Sequence, residues 1–148
     1  MKDVSRAYRE SAVRGASPVG LIVILYEEVA RSVRRAQRAF EEHDIERRTL
    51  ALTHALDVIG HLQATLDFER GGEVAHRLSQ FYTLMRARIL ETNVRADKES
   101  LESLAQEFTS FAQVWRQVEQ AVPQPQNSRA GAQARPDEFR LRGALVET

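Results

Sequence analysis

LESLAQEFTSFAQVWRQVEQAV, residues 101–122, carries the plainest structural signal in the chain. Leu101, Leu104, Phe108, Phe111, Trp115, Val118 and Val122 recur at steps of three and four. That spacing puts them on one side of an α-helix. Pro123 and Pro125 follow at once, and proline stops a helix because it lacks the N–H and its ring clashes with the preceding turn. A helix with one apolar stripe must bury it against another element.

The same period appears three more times upstream. Val74, Leu78, Phe81, Met85, Ile89 and Thr92 form a third stripe, and Leu52, Ala55, Ile59, Leu62 and Leu66 a second. Ile22, Tyr26, Val29, Val33, Ala36 and Phe40 form the first. The breaks between them are short. Ser17 reads as an N-cap with Pro18 at the first helical position. Asp44, after Glu42-His43, and Asp97, after Arg95-Ala96, read as N-caps of the second and fourth helices. Gly71 reads as a left-handed C-terminal cap of the second helix, with Glu73 in the next first turn, where a negative charge suits the dipole. Short links make sequential helices antiparallel neighbours. The expectation is all-α: an antiparallel up-down four-helix bundle over residues 17–122, each helix ~25 residues and ~37 Å long.

The ends differ in composition. Residues 1–16 hold four basic and two acidic residues around Val4, Ala7, Tyr8, Ala12 and Val13, a short N-terminal arm. Residues 123–148 begin Pro-Gln-Pro-Gln-Asn-Ser and run through Arg129-Ala130-Gly131-Ala132. Such a composition buries little, which predicts a disordered C-terminal tail, with Phe139, Leu141, Leu145 and Val146 its only large apolar residues.

Composition excludes several classes. The 148 residues carry 21 Lys plus Arg and 21 Asp plus Glu, a formal net charge of zero. That argues against a chain whose main work is coating nucleic acid or an anionic membrane. There is no cysteine, so disulfides, thiolate zinc sites and thiol nucleophiles are out. The longest apolar run, Leu21 to Tyr26, falls far short of the ~20 residues a membrane span needs. Met1-Lys2-Asp3-Val4-Ser5-Arg6 has no apolar core and does not read as a signal peptide.

Residue patterns that carry chemistry are few. A di-iron bundle needs Glu-x-x-His on two helices and a carboxylate on each of the others; Glu73-Val74-Ala75-His76 is a single match. His54 and His61 are two turns apart on one helix, too far to chelate one ion alone. Gly71-Gly72 lacks the preceding strand of a phosphate loop. No catalytic group and no cofactor is expected, and a metal-binding bundle enzyme using Glu73 and His76 stays as the alternative from another class. What stands out is apolar excess. Leu21-Ile22-Val23-Ile24-Leu25-Tyr26 covers every side of almost two turns, and Leu50, Leu56, Tyr82 and Leu84 lie off the main stripes. Two readings stand side by side: a wide core stripe with scattered surface leucines, or an apolar groove that receives a helix or extended segment. A bundle that self-associates through the same groove is a third.

The motifs resemble one family. Ala16-Ser17-Pro18, then Leu21-Ile22 and Leu25-Tyr26-Glu27, is similar to the first-helix signature of the FliS family of flagellin export chaperones. Thr65-Leu66-Asp67-Phe68-Glu69-Arg70-Gly71-Gly72-Glu73-Val74-Ala75 is similar to that family's second-to-third helix junction. Leu78, Tyr82 and Met85, then Ile89-Leu90-Glu91-Thr92-Asn93, Trp115 near the end of the last helix, and Ala7-Tyr8 upstream also fit. The resemblance runs in unbroken order over roughly residues 5 to 120. Val19-Gly20 departs from it, where charged residues are usual, and the tail after Val122 has no counterpart.

The resemblance implies an antiparallel helical bundle in the cytoplasm. It implies a chaperone that binds the disordered C-terminal segment of flagellin, blocks premature polymerisation and delivers it to the flagellar type III export apparatus. The flagellin segment would wrap round the bundle, and the arm at residues 1–16 would cover part of the empty site. The export gate and a flagellar regulator stay open as further partners; the free protein is expected as a monomer or weak dimer. The candidate contact residues are Tyr8, Leu21, Ile24 and Leu25 near the arm, and Leu62, Leu66, Leu78 and Tyr82 on the second and third helices.

Overall fold

The computed structural model describes residues 15–121; the expectations for the arm, for Tyr8 and for the tail lie outside the described residues. Four helices follow one another: α1 Pro18–Glu41, α2 Ile45–Ala64, α3 Phe68–Arg95 and α4 Lys98–Ala121. Each start is capped as its side chains dictate. Gly20 N–H donates to Ser17 Oγ at 3.0 Å, Arg47 N–H to Asp44 Oδ1 at 3.0 Å, and Glu99 N–H to Asp97 Oδ1 at 3.0 Å. These oxygens satisfy amide groups that a helix start otherwise leaves without partners.

Helix α1 is the hub. It packs along its length on α4 to one side and α2 to the other, while α3 lies mainly on α2 and meets α4 at only a few points. The neighbours run antiparallel. Ser17 Oγ donates to Glu119 at 2.9 Å at one end of the α1–α4 pair, and Gln37 Nε2 donates to Glu102 at 2.5 Å at the other. Between α2 and α3, Gln63 Nε2 donates to the Ser79 carbonyl at 3.0 Å, and Arg48 Nη2 to the Asn93 carbonyl at 3.4 Å. The expected bundle is therefore present, with its three central stripes in the core: Ile22, Val29 and Val33 of α1, Leu52, Ile59 and Leu62 of α2, and Leu101, Leu104 and Phe108 of α4 are all buried. No buried side-chain nitrogen or oxygen lacks a partner among the described residues.

Three expectations around the third helix need correction. The chain leaves α2 at Thr65-Leu66, and Asp67 caps α3, accepting from Glu69 N–H and Arg70 N–H at 3.1 Å each. The left-handed glycine is Gly72, at φ 51° and ψ −124°, and it kinks α3 after its first turn. Gly71 continues that turn, its N–H donating to the Asp67 carbonyl at 2.9 Å. The kink shifts which residues face inward. Val74, expected in the core, is 53% exposed, and Ala75 is fully buried instead. From Ala75 onward the inward set is Ala75, Tyr82, Met85, Ile89 and Thr92. Tyr82, read as off the stripe, is on it.

Gly20 also acquires a reason. A Cβ there would press on the Glu119 carboxylate and Ser17 Oγ, so glycine leaves room for the hydrogen bond between those two side chains, at some cost in helix propensity.

Candidate functional site

The seam between α3 and α4 differs from the other neighbouring helix pairs. Because the two backbones approach so seldom, long side chains bridge them. Phe81 of α3 meets Phe111 of α4 edge-on at 5.1 Å between ring centroids, and Phe108 at 6.5 Å. Further along, the Arg88 guanidinium donates to both Glu107 oxygens at 2.8 and 2.7 Å. That two-pronged pair holds the Glu107 carboxyl below the ordinary glutamate value. On the other side of the rings the seam stays apolar and open. Leu78, Phe81, Phe111, Trp115 and Val118 are only partly buried against the core, and Val74 and Val114 stand 53% and 56% exposed. Helical spacing puts Val114 and Val118 on the same side of α4 as Phe111 and Glu107.

Beneath the seam lies a polar link through the core. The Tyr26 hydroxyl donates to Tyr82 Oη at 2.9 Å, joining α1 to α3. The Trp115 ring of α4 packs edge-on against the Tyr26 ring at 6.2 Å. Burial pushes both phenols up, so both stay neutral around pH 7.

The other flank of α4 is polar. A cleft of about 260 Å³ between α1 and α4 is floored by Ala30 and Ala112, and its arginines are engaged: Arg116 with Glu27, Arg31 with Glu28 at 3.1 Å, Arg34 with Glu102 at 3.8 Å. Across α1 and α2, His54 Nε2 donates to Glu28 at 2.8 Å. Burial alone would raise the Glu28 carboxyl, but the His54 and Arg31 hydrogen bonds and the charges of Arg31 and Arg35 outweigh it and hold it low.

The residues singled out as contacts fall into two groups. Leu21, Ile24, Leu25 and Leu78 are half-buried and present surface. Leu62, Leu66 and Tyr82 are 0%, 6% and 1% exposed and lie in the core cluster. Ile24 lies on the side of α1 away from the Ile22–Tyr26–Val29 stripe. The seam residues Phe81 and Phe111 were legible as apolar, though as core; Val114, next to the Phe111–Trp115 stripe, was the available sign that the stripe is too wide for burial alone.

The residues of the metal alternative have other uses. Glu73 pairs with Arg77 at 3.2 Å, and the His76 ring lies 4.8 Å from Phe68. Among the described residues no group of three or more His, Asp or Glu is placed to hold a metal ion.

A family profile described as "Flagellar protein FliS" matches residues 1–122. The chain belongs to the FliS family. Three relatives make the likeness concrete, each a flagellar secretion chaperone FliS. The Salmonella typhimurium protein is 36% identical over 74% of this chain and 82% of its own length. That of Campylobacter jejuni is 32% identical over 76% and 88%, and that of Bacillus subtilis 28% over 84% and 92%. Membership in the FliS family makes this bundle a secretion-chaperone fold. No helix among the described residues is long and apolar enough to cross a membrane.

Proposed function

We propose that this FliS-family chain is a cytoplasmic export chaperone that binds the C-terminal segment of flagellin, keeps it from polymerising early and delivers it to the flagellar type III export apparatus. The observation that carries the reading is the half-open apolar surface on a family bundle: Leu21, Ile24 and Leu25 on α1, and Leu78 beside the α3–α4 seam. A segment that is disordered when free loses entropy on ordering and needs a large wrapped surface in return. Apolar grooves supply that surface without direction-dependent bonds, so the cargo is released without chemistry. Leu62, Leu66 and Tyr82 act from beneath, by holding the helices that carry the contacts, and Tyr8 belongs to the arm that covers the empty site. No catalytic step, cofactor or metal is part of this function.

The test is a polymerisation assay. Flagellin seeded in the presence of equimolar protein is expected to stay monomeric by light scattering, and flagellin lacking its C-terminal segment is expected to leave the chaperone's melting temperature unchanged while intact flagellin raises it. Normal filament growth at equimolar protein would contradict the proposal. An apparent molar mass of the chaperone alone, by light scattering, that grows with concentration would favour self-association through the same surface.

A further inference from the structure

Both ends of the described chain leave the bundle at one place. Ser17, which caps α1, is bonded to Glu119, and α4 ends at Ala121. The open part of the α3–α4 seam is at this end, since Arg88 and Glu107 pin the seam nearer the α3–α4 turn and Leu78, Trp115 and Val118 lie beyond the Phe81–Phe111 contact. The chain goes on to residue 148, whereas the family profile stops at 122. Residues 123–138 contain no large apolar side chain; Phe139, Leu141, Leu145 and Val146 then follow within eight residues. This is a polar spacer ending in an apolar element.

We propose that residues 139–146 dock on the α3–α4 seam of their own molecule, against Phe111, Val114 and Trp115, and so compete with whatever else uses that seam. Reach is ample. The spacer spans up to roughly 60 Å at ~3.4 Å per residue, while Ala121 to Phe111 is ~15 Å along α4. Tethering gives an effective concentration in the ~mM range, so a small patch suffices. A second copy is the poorer occupant, because a stable dimer buries ~1,200–2,000 Å² and the fully open apolar rim here is only Val74, Leu84 and Val114. Only the identity of the competitor rests on the flagellin reading; the docking does not.

Trp115 is the single tryptophan of the chain, half-buried at the seam, and reports the contact directly. In the full-length protein, Phe139→Ser with Leu141→Ser and Leu145→Ser is expected to raise acrylamide quenching of Trp115 about twofold and to red-shift its emission. A synthetic peptide of residues 136–148 should reverse both changes, and should fail to do so when Val114→Glu is added. Unchanged quenching in the triple variant, or a change the peptide does not reverse, would overturn the proposal. So would protection of Trp115 in the unaltered chain that disappears on dilution, which would assign the seam to a second copy. A separate measurement addresses competition: the triple variant should bind a flagellin C-terminal peptide about threefold more tightly. If the Trp115 result holds while no flagellin peptide binds either protein, self-docking stands and the flagellin reading falls.

Discussion

Tyr82 lies in the core because its hydroxyl has somewhere to go. A phenol buried without a partner would cost several kcal/mol, and the Tyr26 hydroxyl at 2.9 Å removes that cost, while the Trp115 ring of α4 packs against Tyr26. Tyr82→Phe leaves the Tyr26 hydroxyl without its acceptor inside the core. It should destabilise the protein by about 1–3 kcal/mol in urea unfolding, and the Tyr26→Phe, Tyr82→Phe double variant should cost less than the two single changes summed. Ile24 makes the opposite case. It lies away from the α1 core stripe, so Ile24→Ala should cost well under the ~2–5 kcal/mol of a buried truncation yet weaken binding of the flagellin segment about fivefold, ~1 kcal/mol. A titration in which Ile24→Ala binds like the unaltered protein would remove it from the contact set.

At the level of elements, most of the fold was legible because caps and stripes agree. Asp44, Asp97 and Ser17 sit where a helix start needs an oxygen acceptor, and the apolar periods of α1, α2 and α4 point inward as spaced. The junction into α3 was less legible, since two adjacent glycines offer the same freedom and sequence does not say which one uses it. Asp67 decides, by capping one turn earlier and leaving Gly72 to absorb the kink. Gly72→Ala should therefore cost about 1–3 kcal/mol, because a Cβ is strained at that φ and ψ, while Gly71→Ala should be far milder; thermal melts of the two variants separate them. The α3–α4 pair carries a pH signature. Arg88 hydrogen bonds depress Glu107, so their contribution is fully present above the ordinary glutamate value of 4.5 and is lost as pH falls through the lower folded value. Glu107→Gln should flatten the acid limb of stability against pH and leave a modest loss at pH 7, since both side chains are about a third exposed.

For the whole molecule, the surface was harder to read than the core. Periodicity says which residues share a side of a helix and not how far apart two helices stand. Phe81, Phe111, Trp115 and Val118 have the spacing of core residues, and they remain partly open because α3 leans on α2 and stands off α4. Leu62 and Leu66 look the same in sequence and are enclosed, because α2 is held between α1 and α3. A FliS-family bundle arranged this way offers apolar surface on α1 and along the α3–α4 seam, and the central claim is that flagellin's C-terminal segment uses it. Calorimetry of the full chain with a synthetic peptide of the cognate flagellin C-terminus, at two temperatures, tests this most directly. The expected result is saturable binding whose enthalpy grows more negative on warming, the heat-capacity mark of apolar burial. No heat at either temperature, with no gain in melting temperature at saturating peptide, would contradict it.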